Sequence, residues 1–358
     1  MYERIPQHPA KGRGAAASPE GRFESLRHQR EDDGWFPPEE EGRPRTTLGV
    51  DRARRVLTDN RSPDVGFSRS LNPYRGCEHG CAYCYARPTH SYLGLSPGLD
   101  FEMKLFYKPD APEQLARELA APNYRPTPVA LGINTDAYQP IERKTQLTRR
   151  LLEVFAAHKH PVGIITKSAL IERDLDILAP MAADGLVAAS FSVTTLDRDL
   201  ARKLEPRATA PSRRIEAIGR LAAAGVPVGV MVAPVIPALN DADMERILEA
   251  AAAAGARYAG YVVLRLPHEL AEMFPAWLEA HYPERKAKVL AILTELHGGK
   301  LYDSRFGTRM KGQGPWAALI ARRFAVAVKR CGLERHGTRL RTDLFRVPGR
   351  GRQQELAL

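Results

Sequence analysis

The stretch NPYRGCEHGCAYCYARPTH, residues 72–90, places three of the chain's four cysteines on one short segment. Cys77, Cys81 and Cys84 follow a C-x3-C-x2-C spacing, and Cys331 stands far from them. Such a cluster makes a poor disulfide framework; thiols crowded into a loop more often bind metal. A closed structural zinc site wants four ligands, usually as two C-x2-C-like pairs on separate knuckles. No second pair is present, so zinc would need His79 or His90 as its fourth ligand. A cubane [4Fe–4S] cluster is the better chemical fit, because three ligands to four irons leave one iron open to a substrate or cofactor. Cys331 falls in a late helical pattern, LIARRFAVAVKRCGL, and reads as a buried structural thiol.

The segments after the loop fix the fold class. PVALGIN (128–134), PVGIITK (161–167), LVAASFSV (186–193), VPVGVMVAPV (226–235) and YAGYVVLRL (258–266) are short Val-, Ile- and Ala-rich runs. Runs of this kind read as strands buried on both faces. Helical patterns such as TRRLLEVFAAH and SRRIEAIGRLAAAG separate them. In NDADMERILEAAAAAG, Asn240 is expected as N-cap, Asp241 and Asp243 in the first turn, and Gly255 as the stop. One more strand fits just before the cysteines, around VGFSRSLNPY. The alternation predicts a parallel sheet with right-handed crossovers and about six β/α units: a partial or complete barrel, or a doubly wound sheet. In each case function gathers at the C-terminal ends of the strands. Asn134, Thr135, Asp136, Lys167, Ser168, Ser190, Ser192, Thr194, Thr195, Pro234, Pro237 and Asn240 lie at or near those ends.

The flanks differ in composition. Residues 1–60 are rich in Gly, Pro, Arg and Glu, as in EDDGWFPPEEEGRPR, and read as a disordered, flexible N-terminal arm. Residues 334–358 read as a basic flexible tail. Between them, 61–266 form the expected core barrel and 267–333 a C-terminal helical extension capping it. His268, Glu269, Asp303, Arg309 and Trp316 are candidate residues of that extension, and the glycines at 312 and 314 alone do not make a phosphate loop. No run of 18 apolar residues occurs and the first residues lack the apolar core of a signal peptide, so a cytoplasmic protein without membrane segments is expected. The net charge of +11 suits a polyanionic partner, with nucleic acid the candidate.

The cysteine motif, with Tyr83 just before its third cysteine and the β/α rhythm after it, resembles the radical S-adenosylmethionine (SAM) superfamily over roughly residues 65–332. NPYRGCEHGCAYCYARPTH, GINTDAYQPIE, SVTTLDRDLARKLEPRA and AGVPVGVMVAPVIPALND are similar to the group related to spore photoproduct lyase, often labelled DNA repair photolyase-like, and to a bacterial subfamily within it. The resemblance implies a partial (β/α)6 barrel. It implies that Cys77, Cys81 and Cys84 ligate a [4Fe–4S] cluster whose open iron chelates SAM. It also implies an external electron donor of flavodoxin or ferredoxin type, reductive cleavage of SAM, and hydrogen-atom abstraction from a substrate that the sequence leaves unidentified.

Residue roles follow as expectations. Thr135, Asp136 and nearby carbonyls would accept from the SAM ammonium, where many family members carry a Gly-Gly-Glu run. Lys167 would pair with the carboxylate or ribose region, since a buried lysine at a strand end wants an anionic partner. Ser192 would hydrogen-bond the ribose or carboxylate, and Arg207 would bind carboxylate or substrate. Val232, Ala233 and Pro234 would pack on the adenine, and Tyr83 would shield the cluster. The photoproduct lyase pattern has a hydrogen-donating cysteine where this chain has Asn134, so Tyr138 is the candidate replacement donor. A monomer is expected. The rival reading is a nucleic-acid-binding protein stabilised by zinc or a cluster, without SAM chemistry.

Overall fold

Apolar strands and amphipathic helices alternate along the chain, and a computed structural model, describing residues 12–23 and 45–349, shows how they pack. Its strands are β1 (Thr47–Val50), β2 (Leu57–Asp59), β3 (Arg69–Leu71), β4 (Tyr74–Arg75), β5 (Lys104–Tyr107), β6 (Val129–Leu131), β7 (Val162–Thr166), β8 (Val187–Ser192), β9 (Val228–Val235) and β10 (Tyr258–Val263). A seven-stranded sheet runs in the order β10-β9-β8-β7-β6-β3-β2. Every neighbouring pair from β3 to β10 is parallel, and β2 closes one edge antiparallel to β3. Because successive parallel strands add on the same side, the sheet is singly wound, as in one arc of a barrel. It stays open between β10 and β2, which settles the choice among the predicted architectures in favour of a partial barrel. A small sheet, β1-β5-β4, stands apart from it.

The registers are regular, with Val162 opposite Val187 and Ser190 opposite Gly229. Both faces of the central strands are covered: β8 is buried at every position except Ser190. The crossover helices supply the outer layer. Helix 147–157 buries Leu151, Leu152 and Phe155, helix 211–223 buries Ala217, Ile218 and Leu221, and helix 244–253 buries Ile247, Leu248 and Ala251. Each fully buried large aliphatic contributes roughly 1.5–3 kcal/mol of transfer free energy. Helix 314–330 packs beside helix 244–253, fixed there by Arg323 across to Glu245 and Asp241. It extends the outer ring of helices. Among the described residues no helix is long and apolar enough to cross a membrane.

Three expectations need correction. Asn240 does not cap the following helix, which begins at Met244 after a short 3-10 turn at Asp241–Asp243. Its amide instead accepts from the Ile236 N–H at 2.6 Å and donates to the Thr194 and Pro234 carbonyls at 2.8 and 2.9 Å. A buried strand-end loop leaves backbone groups that need partners, and one asparagine side chain supplies three of them. The expected arm over 1–60 falls partly outside the described residues, but 12–23 are fixed and 47–50 and 57–59 are strands. The Gly14 and Ala15 amides donate to the Glu102 carboxylate at 3.1 and 2.8 Å, and the Ser18 hydroxyl accepts from the Leu99 amide at 3.0 Å. Gly14 is required there, because a Cβ would stand 1.7 Å from the Gly80 carbonyl oxygen. The tail from Glu334 is likewise attached as far as it is described: Glu334 bridges to Tyr258, and the Arg341 and Arg346 amides donate to the Gly185 and His158 carbonyls at 2.9 and 3.0 Å. Polar composition misled in both places, since these polar segments are held by backbone and side-chain bonds to distant partners that composition does not register.

Candidate metal centre

The cysteine loop leaves β4 at Gly76 and runs into a 3-10 helix at Arg87–Leu93. Short-range bonds shape it: Gly80 N–H to the Cys77 carbonyl, Cys84 N–H to the Cys81 carbonyl, and Arg87 N–H to the Cys84 carbonyl. Gly80 has φ +65°, and a Cβ there would lie 2.6 Å from a Glu102 carboxylate oxygen. The loop is held from within by Arg87, which is fully buried. Its Nε donates to the Cys81 carbonyl at 2.9 Å, Nη1 to the Pro97 and Gly98 carbonyls at 3.1 and 2.9 Å, and Nη2 to the Gly80 carbonyl at 3.1 Å and to Glu102. Every guanidinium N–H is thereby matched. Glu102 is also fully buried and spends its remaining capacity on the Gly14 and Ala15 amides.

Cys77 and Cys81 are each 7% exposed, and Cys84 is half-buried. Burial first, and then neighbouring acidic charge, pushes the Cys77 thiol well above its ordinary range. Burial pushes the Cys81 thiol up to about 12 against the pull of Lys167. Metal binding at such thiols would displace their protons. The donor set is three soft sulfurs within electrostatic reach of one another on a single rigid loop, which fits an iron–sulfur cluster. Among the described residues no three Cys, His, Asp or Glu side chains are gathered closely enough to hold a single metal ion. Of the two candidate fourth ligands, His79 Nδ1 lies 3.4 Å from Asp136 and His90 Nε2 lies 2.9 Å from the Lys104 carbonyl, while His90 Nδ1 is buried without a partner among the described residues.

A second buried network stands behind the loop. The Tyr83 hydroxyl donates to Glu205 and meets the Thr194 hydroxyl at 3.0 Å. Glu205 pairs with Arg214, whose Nη1 donates to the Ser192 carbonyl at 2.8 Å and whose Nε donates to the Thr209 carbonyl at 2.6 Å. Burial alone would raise the Glu205 pKa, but Arg214 and Lys167 outweigh it and hold the carboxyl at about 2. A depressed carboxylate contributes stability that is present above its ordinary value of 4.5 and is lost as the pH falls toward 2. Glu205→Gln is therefore expected to unfold more easily at neutral pH. The gap to the unaltered chain should narrow as the pH drops through this window, as read by denaturant titration followed by circular dichroism.

The sequence-predicted residues separate into engaged and available groups. Asp136 is engaged: it accepts from the Tyr138 and Lys167 amides at 2.8 and 2.7 Å and from the Thr166 hydroxyl at 2.7 Å, besides facing His79. Burial would raise it, yet His79 and these donors hold it at about 2. The Thr135 hydroxyl donates to the Tyr74 carbonyl at 2.9 Å. Arg207 donates to Glu78 of the cysteine loop at 3.0 Å. These three side chains bind the loop to the strand ends. Tyr138 is buried with its hydroxyl on Asp174, so it is removed from the mouth as a hydrogen donor, whereas Asn134 is exposed there. Lys167 and Ser192 are available. The Lys167 ammonium makes no hydrogen bond or ion pair among the described residues and sits 5.8 Å from the Tyr83 ring centre. The Ser192 hydroxyl, at the end of β8, likewise has no described partner. Val232, Ala233 and Pro234 end β9 beside it.

The candidates of the extension are occupied elsewhere. His268 and Glu269 receive Arg22, and Glu269 also accepts from Ser91. Asp303 pairs with Arg305, and Arg309 pairs with Asp64. Trp316 lies half-buried in the first turn of helix 314–330. Cys331 is half-buried, not buried as expected, because it stands just past the end of that helix. Glu334, three residues on, bridges to Tyr258 at the start of β10, so Cys331 belongs to the edge of the sheet opposite the cysteine loop. Sequence reading missed Arg87, Glu102, Glu205 and Arg214. Only Arg87 carried a local signal, standing three residues after Cys84.

A family profile described as Radical SAM superfamily matches residues 71–251. Uncharacterised proteins of Mycobacterium bovis and Mycobacterium tuberculosis are each 38% identical over 220 residues, 61% of this chain and 65% of theirs. The chain thus spans about 65% of the length of those curated relatives. An uncharacterised protein of Methanocaldococcus jannaschii is 25% identical over 65% of this chain and 83% of its own. Among solved structures, a spore photoproduct lyase variant superposes with a TM-score of 0.57 at 18% identity, covering 80% of this chain and 81% of that one. Another, with bound AdoMet and dinucleoside spore photoproduct, gives 0.54 at 16% identity over 80% of each chain. At that identity the likeness is one of fold.

Proposed function

The chain belongs to the radical SAM superfamily, and on that premise we propose that it is an enzyme that cleaves SAM reductively and abstracts a hydrogen atom from its substrate. The observation that carries the reading is the rigid three-thiol loop at the C-terminal edge of the parallel sheet, with the unpaired Lys167 ammonium facing it. When bound, a [4Fe–4S] cluster and SAM supply a 5′-deoxyadenosyl radical after an external donor of flavodoxin or ferredoxin type delivers one electron. Cys77, Cys81 and Cys84 would hold the cluster. Lys167 would take the SAM carboxylate, since its ammonium makes no hydrogen bond among the described residues and keeps its donors for an anion. Ser192, whose hydroxyl is free, would bond the ribose. Val232, Ala233 and Pro234 would pack on the adenine. Tyr83, fixed by Glu205, would shield the loop. Asp136, Thr135 and Arg207 act as positioning residues through the bonds described above.

Within this proposal, residues 61–266 form the catalytic core and 267–333 the extension, in a cytoplasmic monomer. The excess of 53 Lys and Arg over 42 Asp and Glu favours a polyanionic substrate such as nucleic acid. The test is anaerobic reconstitution followed by iron and sulfide analysis, reduction, addition of SAM, and chromatography for 5′-deoxyadenosine. About four irons per chain and release of the nucleoside are expected. A colourless, zinc-loaded chain inert toward SAM would sink the reading in favour of a structural, nucleic-acid-binding protein.

A further inference from the structure

Arg265 lies two residues past the end of β10, on the edge of the sheet that carries the cysteine loop. Its guanidinium carbon sits 4.6 Å from the ring centre of Tyr85, the residue that follows Cys84. The side chain is half-buried and makes no hydrogen bond or ion pair among the described residues. Asp64 is the acid whose charge reaches it, and Asp64 is already filled by the Gly307 amide and Arg309. The other charged or polar groups that bear on Arg265 are Tyr85, Tyr302 and Arg309, none of which compensates a cation.

An arginine packed on an aromatic ring, with its donor fork unmatched by protein among the described residues, is held in place with its N–H groups open to a ligand. The fork fits planar or tetrahedral oxyanions in a bidentate manner. Its position is also specific. The Tyr85 hydroxyl donates to the Ile133 carbonyl, so the ring is pinned beside exposed Asn134, and Lys167 and Arg265 both bear on Tyr85. Lys167 lies against the ring of Tyr83, between Cys81 and Cys84, whereas Arg265 lies against the ring of Tyr85, just past Cys84.

We infer that Arg265 is the substrate's oxyanion seat: the molecule that enters beside Tyr85 and Asn134 carries a phosphate or a carboxylate, which the Arg265 fork grips. This rests on the function proposed above and assigns Lys167 and Arg265 to different ligands, SAM and substrate. The test uses the reconstituted, SAM-loaded protein and equilibrium dialysis against two probes, a dithymidine monophosphate and succinate, with thymidine as the uncharged control. One charged probe is expected to bind and thymidine to bind at least about tenfold more weakly. Which probe binds names the source of the oxyanion. Arg265→Gln is expected to weaken that probe about tenfold, with Arg265→Lys recovering part of the loss because an ammonium lacks the fork. Failure of both charged probes to bind, or equal binding to Arg265→Gln, overturns the inference. So does loss of SAM affinity in Arg265→Gln, since the guanidinium would then be holding the SAM carboxylate. Iron content and SAM binding of the unaltered preparation report separately on the proposed function.

Discussion

Replacing Cys77, Cys81 or Cys84 with alanine is expected to strip the chain of iron and reduce 5′-deoxyadenosine release from SAM to background. Three ligands already leave one position of a cubane open, so a two-cysteine loop has no ligand in reserve. The fold should survive. The loop's shape comes from Arg87, Glu102 and backbone bonds, and the sulfurs contribute little to it. The measurement is iron analysis and product chromatography, with circular dichroism to confirm that the sheet persists. Cys331→Ala is the matched control and should keep full iron, since it stands at the other edge of the sheet. A Cys77→Ala protein that still carries its iron and turns over SAM would refute the ligand assignment.

The second large effect is structural. Arg87→Met is expected to destabilise the chain by about 3–5 kcal/mol, because it leaves the Glu102 carboxylate buried without its cation. It also strands four carbonyls, of Gly80, Cys81, Pro97 and Gly98, that the guanidinium now satisfies. Glu102→Leu alone should cost a similar amount, leaving an arginine buried with only neutral acceptors. The double variant, Arg87→Met with Glu102→Leu, is expected to be less destabilised than the sum, since removing both charges abolishes the uncompensated ion. Chemical denaturation of the four proteins reads the coupling directly. Simple additivity would mean that the pair is not a unit. Iron retention should fall in the same order, because the fork ties the Cys81 segment to residues 97–102.

The alternating strands and helices were legible because periodicity records burial, and burial is what packs a parallel sheet. The three-cysteine spacing was legible because the three cysteines lie close in sequence. Glu205, Arg214 and Glu102 were not, because each matters through a partner far along the chain, and an isolated Glu or Arg looks like surface. Asp136 shows a subtler limit. It lies in the loop five residues past the end of β6, and its carboxylate is filled by the Tyr138 and Lys167 amides and by Thr166. Position can be read from pattern, whereas vacancy depends on who else arrives. Asn240 makes the same point, a residue of helix-capping type recruited to satisfy strand-end backbone. The N-terminal segment was misjudged because its anchors, the Gly14 and Ala15 amides and the Arg13, Ser18 and Arg22 side chains, all meet partners far along the chain.

That segment also sets an order of assembly. Residues 12–18 are made before their seats on Glu102, Gly80 and the Gly98–Leu99 turn, Glu102 being 88 positions after Gly14. During synthesis the chain emerges from its N-terminus, so the earliest residues must wait unattached while the cysteine loop and helix 99–103 form behind them. Gly80 and Glu102 therefore take their final packing only when the beginning of the chain folds back.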